Sequence, residues 1–271
     1  MTTKANLQIV TGRKITYGTK EWADHNVNCI LGCYNNCRYC YAKMMAKRFG
    51  RSTEETWKDM RIRENAVQKT YRKKHGITMF PSTHDIFDFS PFKEACFTVL
   101  GKLLESGNNV LITTKPRFSV IQEIVFKFKR YKDNIQFRFT ITSIDDDLLK
   151  FWEPNAPPFE ERLESLKYAK SMNFKTSVSI EPFLDYDPTK LIKIVMPFVT
   201  ESIWIGRMNY IPRNNLNRTE EFFYNLVRKN YETKHLWLLY KKLNRLPKIK
   251  FKDSIRIQLS CFESRDKFVN W

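Results

Sequence analysis

Cys33, Cys37 and Cys40 stand close together in Gly32-Cys33-Tyr34-Asn35-Asn36-Cys37-Arg38-Tyr39-Cys40-Tyr41-Ala42. Thiolates gathered in one short loop suit a soft metal centre, either iron–sulfur or zinc. Their number decides what such a centre could do. A closed zinc site or an ordinary electron-transfer cluster takes four protein ligands. Three thiolates on a four-iron, four-sulfur ([4Fe-4S]) cluster leave one iron without a protein ligand, and an open metal position is where chemistry happens. Cys29, four residues upstream, makes a four-cysteine zinc knuckle, C-x3-C-x3-C-x2-C, the competing reading. Zinc sites usually pair two short hooks from separate segments, and no second hook is present. Cys29, Cys96 and Cys261 are scattered singletons, which reads as buried thiols rather than an auxiliary cluster.

The elements that must position this loop follow from hydrophobic pattern. Short β-branched runs predict strands over 27–31, 77–80, 109–113, 135–142, 175–180 and 202–205. Longer amphipathic stretches predict helices over 42–49, 53–73, 91–106, 119–129, 159–172, 189–198 and 219–231. Strands alternating with helices argue for βαβ units and a parallel sheet, with functional groups at the C-terminal strand ends. The cysteine loop then follows the first strand and leads into the first helix. The alternation stops near Pro212, so residues 1–212 read as an α/β core and 213–271 as a basic, mainly helical extension.

The 271 residues are 42% hydrophobic and 14% aromatic, which is a globular and not a disordered composition. No apolar run approaches the ~18–20 residues needed to cross a bilayer. Met1–Lys20 is polar and lacks the apolar core of a signal peptide, so a reducing cytoplasm is the expected location and no membrane partner is expected. The net charge of +18 is large. Basic runs at 127–132 and 241–252, with Phe, Tyr and Trp nearby, suit phosphate contact and base stacking. A solvated face or a compositional bias towards Lys would look the same. If the runs serve a polyanion, they are expected to flank the mouth of the sheet.

The spacing C-x3-C-x2-C with an aromatic before the last Cys strongly resembles the radical S-adenosylmethionine (SAM) superfamily. Over roughly residues 24–210 the chain is similar to the branch that includes spore photoproduct lyase. That branch tends to read Cys-x-Tyr-Cys-Tyr-Ala, as Cys37 to Ala42 do. Its later markers are matched in order by Ser82-Thr83-His84-Asp85, Thr114-Lys115, Glu153-Pro154, Ala156-Pro157 and Arg162-Leu163. The resemblance implies a partial (β/α)6 TIM-type barrel, a [4Fe-4S] cluster on Cys33, Cys37 and Cys40, and SAM on the open iron. It implies reductive cleavage of SAM to a 5′-deoxyadenosyl radical that abstracts hydrogen from a substrate. A flavodoxin- or ferredoxin-type reductant protein would supply the electron. Nothing in the sequence sets the oligomeric state.

Roles for the cofactor follow strand by strand under that resemblance. Tyr39 would lie against the adenine, unless it is simply a core aromatic. A lysine ending a buried strand needs an anion, and the SAM carboxylate suits Lys115; a Lys115 that reaches solvent is the alternative. Ser82, Thr83 and Thr140 could hydrogen-bond the amino acid or ribose, with local backbone bonding the competing role. Glu181 could hold the ribose or the SAM amine, or form a surface ion pair. Arg162, on the helix after the fourth strand, could bind the carboxylate, with capping or an exposed ion pair the alternative. One departure matters: the lyase returns hydrogen from a cysteine near the end of its second strand, and Met79-Phe80-Pro81-Ser82-Thr83 has none. Thymine-dimer repair by the same route is therefore not expected. Nucleic acid is the first candidate substrate, a peptide or small metabolite the next. A nucleic-acid-binding protein with a structural iron–sulfur or zinc site is the rival from another class.

Anaerobic reconstitution separates these readings. About four iron per chain should load through three thiolates. Cys33→Ala, Cys37→Ala and Cys40→Ala should each abolish the cluster by iron analysis, and Cys29→Ala should retain it. Cluster loss in Cys29→Ala with firm zinc binding would favour the structural rival.

Overall fold

The β-branched and aromatic runs of the sequence become parallel strands, buried on both faces at their centres. The computed structural model describes residues 16 and 18–269, with side chains through Cys261; most of Met1–Lys20 lies outside them. A seven-stranded sheet runs in the order β1 (His25–Asn26), β4 (Ile77–Met79), β5 (Asn109–Thr114), β6 (Ile135–Thr140), β7 (Lys175–Ile180), β8 (Ile203–Ile205) and β9 (Ile249–Phe251). Every neighbouring pair is parallel. The sheet curls into a half-barrel, the partial TIM barrel expected from the sequence. Two short strands, β2 (Ile30–Leu31) and β3 (Arg61–Ile62), pair antiparallel beside it.

The connecting helices are α1 (Tyr41–Arg48), α2 (Glu64–Gln68), α3 (Phe92–Glu105), α4 (Phe118–Lys127), α5 (Asp146–Trp152), α6 (Phe159–Ser171) and α7 (Thr189–Val195). They cover the sheet through apolar stripes, such as Ala95, Val99 and Leu103 on α3, set four residues apart. Phe137, Phe139 and Phe174 form a stacked and tilted trio within the core, all 2% exposed or less. Among the described residues no helix is long and apolar enough to cross a membrane.

Three differences from the sequence reading have physical causes. Of the first predicted strand, 27–31, only Ile30–Leu31 is strand, and β1 lies just before it at His25–Asn26; Asn28 between them turns its amide to the Ser82–Thr83 loop. The predicted helix over 53–73 is reduced to one 3-10 turn (Thr56–Lys58), β3 and α2. Trp57, 1% exposed, packs under Cys33, Ala42 and Ala46 instead, and its carbonyl accepts from Cys33 N at 3.0 Å. The basic extension holds α8 (Arg218–Asn230), α9 (Thr233–Leu243) and α10 (Asp253–Val269), but it also adds β9 to the sheet.

The basic runs do not both flank the mouth. Residues 127–132 directly precede β6 and Lys248 directly precedes β9, so both lie at the N-terminal end of the sheet. Each crossover helix returns the chain to that end before the next parallel strand. Lys248 Nζ donates to Val199 O at 2.5 Å, and Lys242 pairs with Asp187 at 2.7 Å.

Gly32 provides a local test of how the cysteine loop is seated. Its φ is +92°, and a Cβ there would stand 2.6 Å from the Trp57 carbonyl oxygen. Gly32→Ala should destabilise the chain by about 2 kcal/mol or more in urea unfolding, from the left-handed backbone and the clash together. Gly50→Ala, with φ +62° but open space around it, should cost only about 1 kcal/mol.

Candidate metal and cofactor site

The C-terminal strand ends open onto a cleft of about 410 Å³ that Cys33, Cys37 and Cys40 line together. Cys33 and Cys37 are 8% and 6% exposed. The loop carrying them is closed by turns, Asn36 N to Cys33 O at 3.1 Å and Cys40 N to Cys37 O at 3.3 Å. Cys40 caps α1, its Sγ accepting from Lys43 N at 3.4 Å. Burial pushes all three thiols up, Cys37 to about 12 despite the nearby Lys115. Three thiols in one cleft, two buried and Cys40 partly so, are poor at ionising alone and form a donor set that a cationic soft metal group would deprotonate and hold. Among the described residues no three Cys, His, Asp or Glu converge as ligands of a single ion. A cluster does not require that convergence, since its thiolates bind different irons.

The loop is clamped from two sides. Arg38 N and Nε donate to Trp152 O and Phe151 O at 2.9 and 2.8 Å, and Asn155 Nδ2 donates to Tyr34 O at 2.8 Å. On the other side Asn35 Nδ2 donates to Asp85 at 2.7 Å, and Asp85 also accepts from Thr114 Oγ1 and from Lys115 N. Beneath both lies Glu153, 1% exposed. Its carboxylate accepts from the Tyr39 hydroxyl and from Thr142 Oγ1, and pairs with Arg162 at 2.6 Å. Burial alone would push this carboxyl up, but Arg162, Lys115 and the two hydroxyls together hold it below the usual carboxylate range.

Lys115 follows β5 into the cleft, half-buried, with its ammonium 5.5 Å from the centre of the Tyr39 ring. Burial acts to lower its pKa, and the Cys37, Glu153 and Asp85 side chains overcome it, so the amine stays charged. Among the described residues no carboxylate forms an ion pair with it. Ser82, Thr83, Thr140 and Glu181 line the same cleft, as do Thr113, Thr114 and Ser179. Ser82 Oγ accepts from Asn28 Nδ2 at 2.9 Å, and Tyr41 OH donates to Ser82 O at 2.5 Å.

Glu181 faces Lys252, 3.7 Å away, and Lys252 also pairs with Glu21 at 3.1 Å. Burial pushes the Glu181 carboxyl up against the pull of Lys252. Gly206 makes this packing feasible: a Cβ there would stand 2.7 Å from Glu181 Cγ and 2.9 Å from Lys252 Cγ.

Of the residues singled out by sequence, Arg162 alone stays out of the cleft. It is fully buried, and its guanidinium is used by Glu153, Pro157 O and Thr140 O. It supports Tyr39 through Glu153 and does not reach a ligand directly, which corrects the carboxylate-binding role expected for it. Asn28, Asp85, Glu153, Lys252 and Arg207 were not assigned roles from sequence. Asp85 and Glu153 fall inside quoted marker segments, so a signal existed for them; Lys252 and Arg207 had none beyond charge.

A family model described as the radical SAM superfamily matches residues 27–188, more than half of the chain. An uncharacterised protein of the Acidianus two-tailed virus is 29% identical over 192 residues, covering 66% of this chain and 60% of that protein. The chain thus spans less than two thirds of that relative's length. An uncharacterised protein of Methanocaldococcus jannaschii is 23% identical over 187 residues, covering 68% of this chain and 70% of that protein. Among solved structures, a variant of spore photoproduct lyase superposes with a TM-score of 0.52 at 13% identity, over 84% of this chain and 69% of that one. That last likeness is one of fold. With the cysteine loop, the half-barrel and the family match in agreement, the chain belongs to the radical SAM superfamily.

Proposed function

We propose that this chain is an enzyme that holds a [4Fe-4S] cluster through Cys33, Cys37 and Cys40 and binds SAM in the adjoining cleft. The observation that carries this reading is Lys115, a charged amine in the cleft wall beside the three cysteines, with no carboxylate at ion-pair distance among the described residues. When bound, the pair would supply reductive cleavage of a sulfonium and a carbon radical able to abstract hydrogen. The chain's own residues bind and shield. Lys115 would take the SAM carboxylate. Tyr39, fixed through Glu153 and crossed by the Lys115 ammonium, would offer a rigid face to the adenine. Thr83, Thr140 and Ser82 would hydrogen-bond the amino acid or ribose, and Glu181 the ribose or amine.

The substrate proposed is nucleic acid or a nucleotide. Supporting it are the net charge of +18 and the cleft itself, lined among the described residues by four cations (Lys20, Lys115, Arg207, Lys252) against two carboxylates (Asp85, Glu181). Among the described residues, the cysteines lining the cleft are Cys33, Cys37 and Cys40. A hydrogen-returning cysteine at the end of β4 is thus absent from the lining, and a lyase route that depends on one is not proposed. A flavodoxin- or ferredoxin-type protein is the proposed reductant.

With a strong reductant, the reconstituted chain should release 5′-deoxyadenosine from SAM even without substrate. Lys115→Met should weaken SAM binding about tenfold or more while iron content stays at the natural level, because one charge-assisted contact is lost. No release, together with an EPR signal of the reduced cluster that SAM leaves unchanged, would sink the enzyme reading.

A further inference from the structure

The loop after β8 carries Arg207, half-buried and lining the cleft beside Glu181 and Lys252. Its Nη1 donates to Gln258 Oε1 at 2.6 Å. Gln258 is itself fixed: its Nε2 donates to Tyr231 O and to Thr233 Oγ1, both at 2.9 Å. The guanidinium is therefore held by a neutral amide whose orientation two further bonds determine. Among the described residues it has no ion-pair partner. The carboxylates of the cleft are engaged elsewhere, Asp85 with Thr114, Asn35 and Lys115 N, and Glu181 with Lys252.

Neither of these carboxylates forms an ion pair with Arg207. It is positioned by a neutral group, and among the described residues the rest of its donor fork carries no hydrogen bond. Its planar donors match phosphate oxygens two at a time. Lys20 and Asn209 line the same cleft, offering a second positive charge and an amide.

We propose that Arg207, braced by Gln258, anchors a phosphate or phosphodiester group of the substrate in the cleft. This rests on the proposed function above and specifies its substrate class. The group belongs to a nucleic-acid strand or to a free nucleotide, and the two share the same contact.

The test uses the reconstituted full-length chain under anaerobic conditions and a fluorescein-labelled deoxythymidine hexamer, read by anisotropy. Arg207→Gln should weaken binding about tenfold at fixed salt. It should also flatten the log–log salt dependence by about 0.7, the contribution of one phosphate on a single strand. Arg207→Lys, which keeps the charge but loses the fork, should fall between. A hexamer with an uncharged methylphosphonate backbone should fail to compete. Arg207-dependent competition by thymidine monophosphate at the hexamer's own affinity would name a free nucleotide as the source and still support the subsite. Equal affinity and equal salt slope for Arg207→Gln and the natural chain would overturn it. Release of 5′-deoxyadenosine, followed in the same samples, keeps the two readings apart. SAM cleavage without any Arg207-dependent binding sinks the phosphate subsite alone. Arg207-dependent binding without SAM cleavage sinks the enzyme reading alone.

Discussion

The arrangement of this cleft depends on one buried carboxylate. Glu153 has almost no contact with water, and an unpaired charge there would be strongly disfavoured. It is stable because Arg162, Tyr39 and Thr142 converge on it from a helix, the cysteine loop and the end of a strand. Such pairs contribute little net stability, because desolvation opposes the attraction, yet removing one partner of such a pair costs about 3–5 kcal/mol. The pair thus works as a register pin. It fixes the Tyr39 ring, and through it the loop, relative to the strand ends that carry the hydroxyls.

Much of the site was legible in the sequence because its signals are local. The spacing of Cys33, Cys37 and Cys40 and the Ser82–Asp85 stretch are short patterns that retain their meaning out of context. The parallel strands were legible for the same reason, as their β-branched cores are buried on both sides. What escaped was decided by distant contacts. The periodicity of residues 53–73 favours a helix, but Trp57 gains more by packing beneath the cysteines than a helix would allow. The strand β9 is only Ile249–Phe251, between lysines, and its identity depends on a neighbour more than forty residues away. Arg162 was read as a ligand-binding cation because its charge is visible in sequence and its buried partner is not.

The charge of the protein also divides by position. Lysines at the N-terminal end of the sheet, such as Lys248, lie away from the cleft, so their contribution to a polyanion is at most a long-range field that salt screens. The cations that could meet a ligand individually are those in the cleft wall, and three of them are held differently: Lys115 against an aromatic face, Lys252 between two carboxylates, Arg207 on an amide.

Lys252 has a further consequence for how the molecule is made. Its ammonium donates to Gly18 O, 234 positions earlier in the chain, and pairs with Glu21 and Glu181. Contacts of such sequence separation form late, since the loop-closure entropy must be overcome before they stabilise anything. During synthesis the cysteine loop and strands β4 to β7 leave the ribosome well before residue 252 does. The emerging barrel therefore passes through a stage with a cysteine-bearing wall and an open far side. Closure of the far side by the strap of Gly18, Glu21 and Lys252 is thus among the last steps of folding, and until then the wall that carries Cys33, Cys37 and Cys40 stays open to solvent.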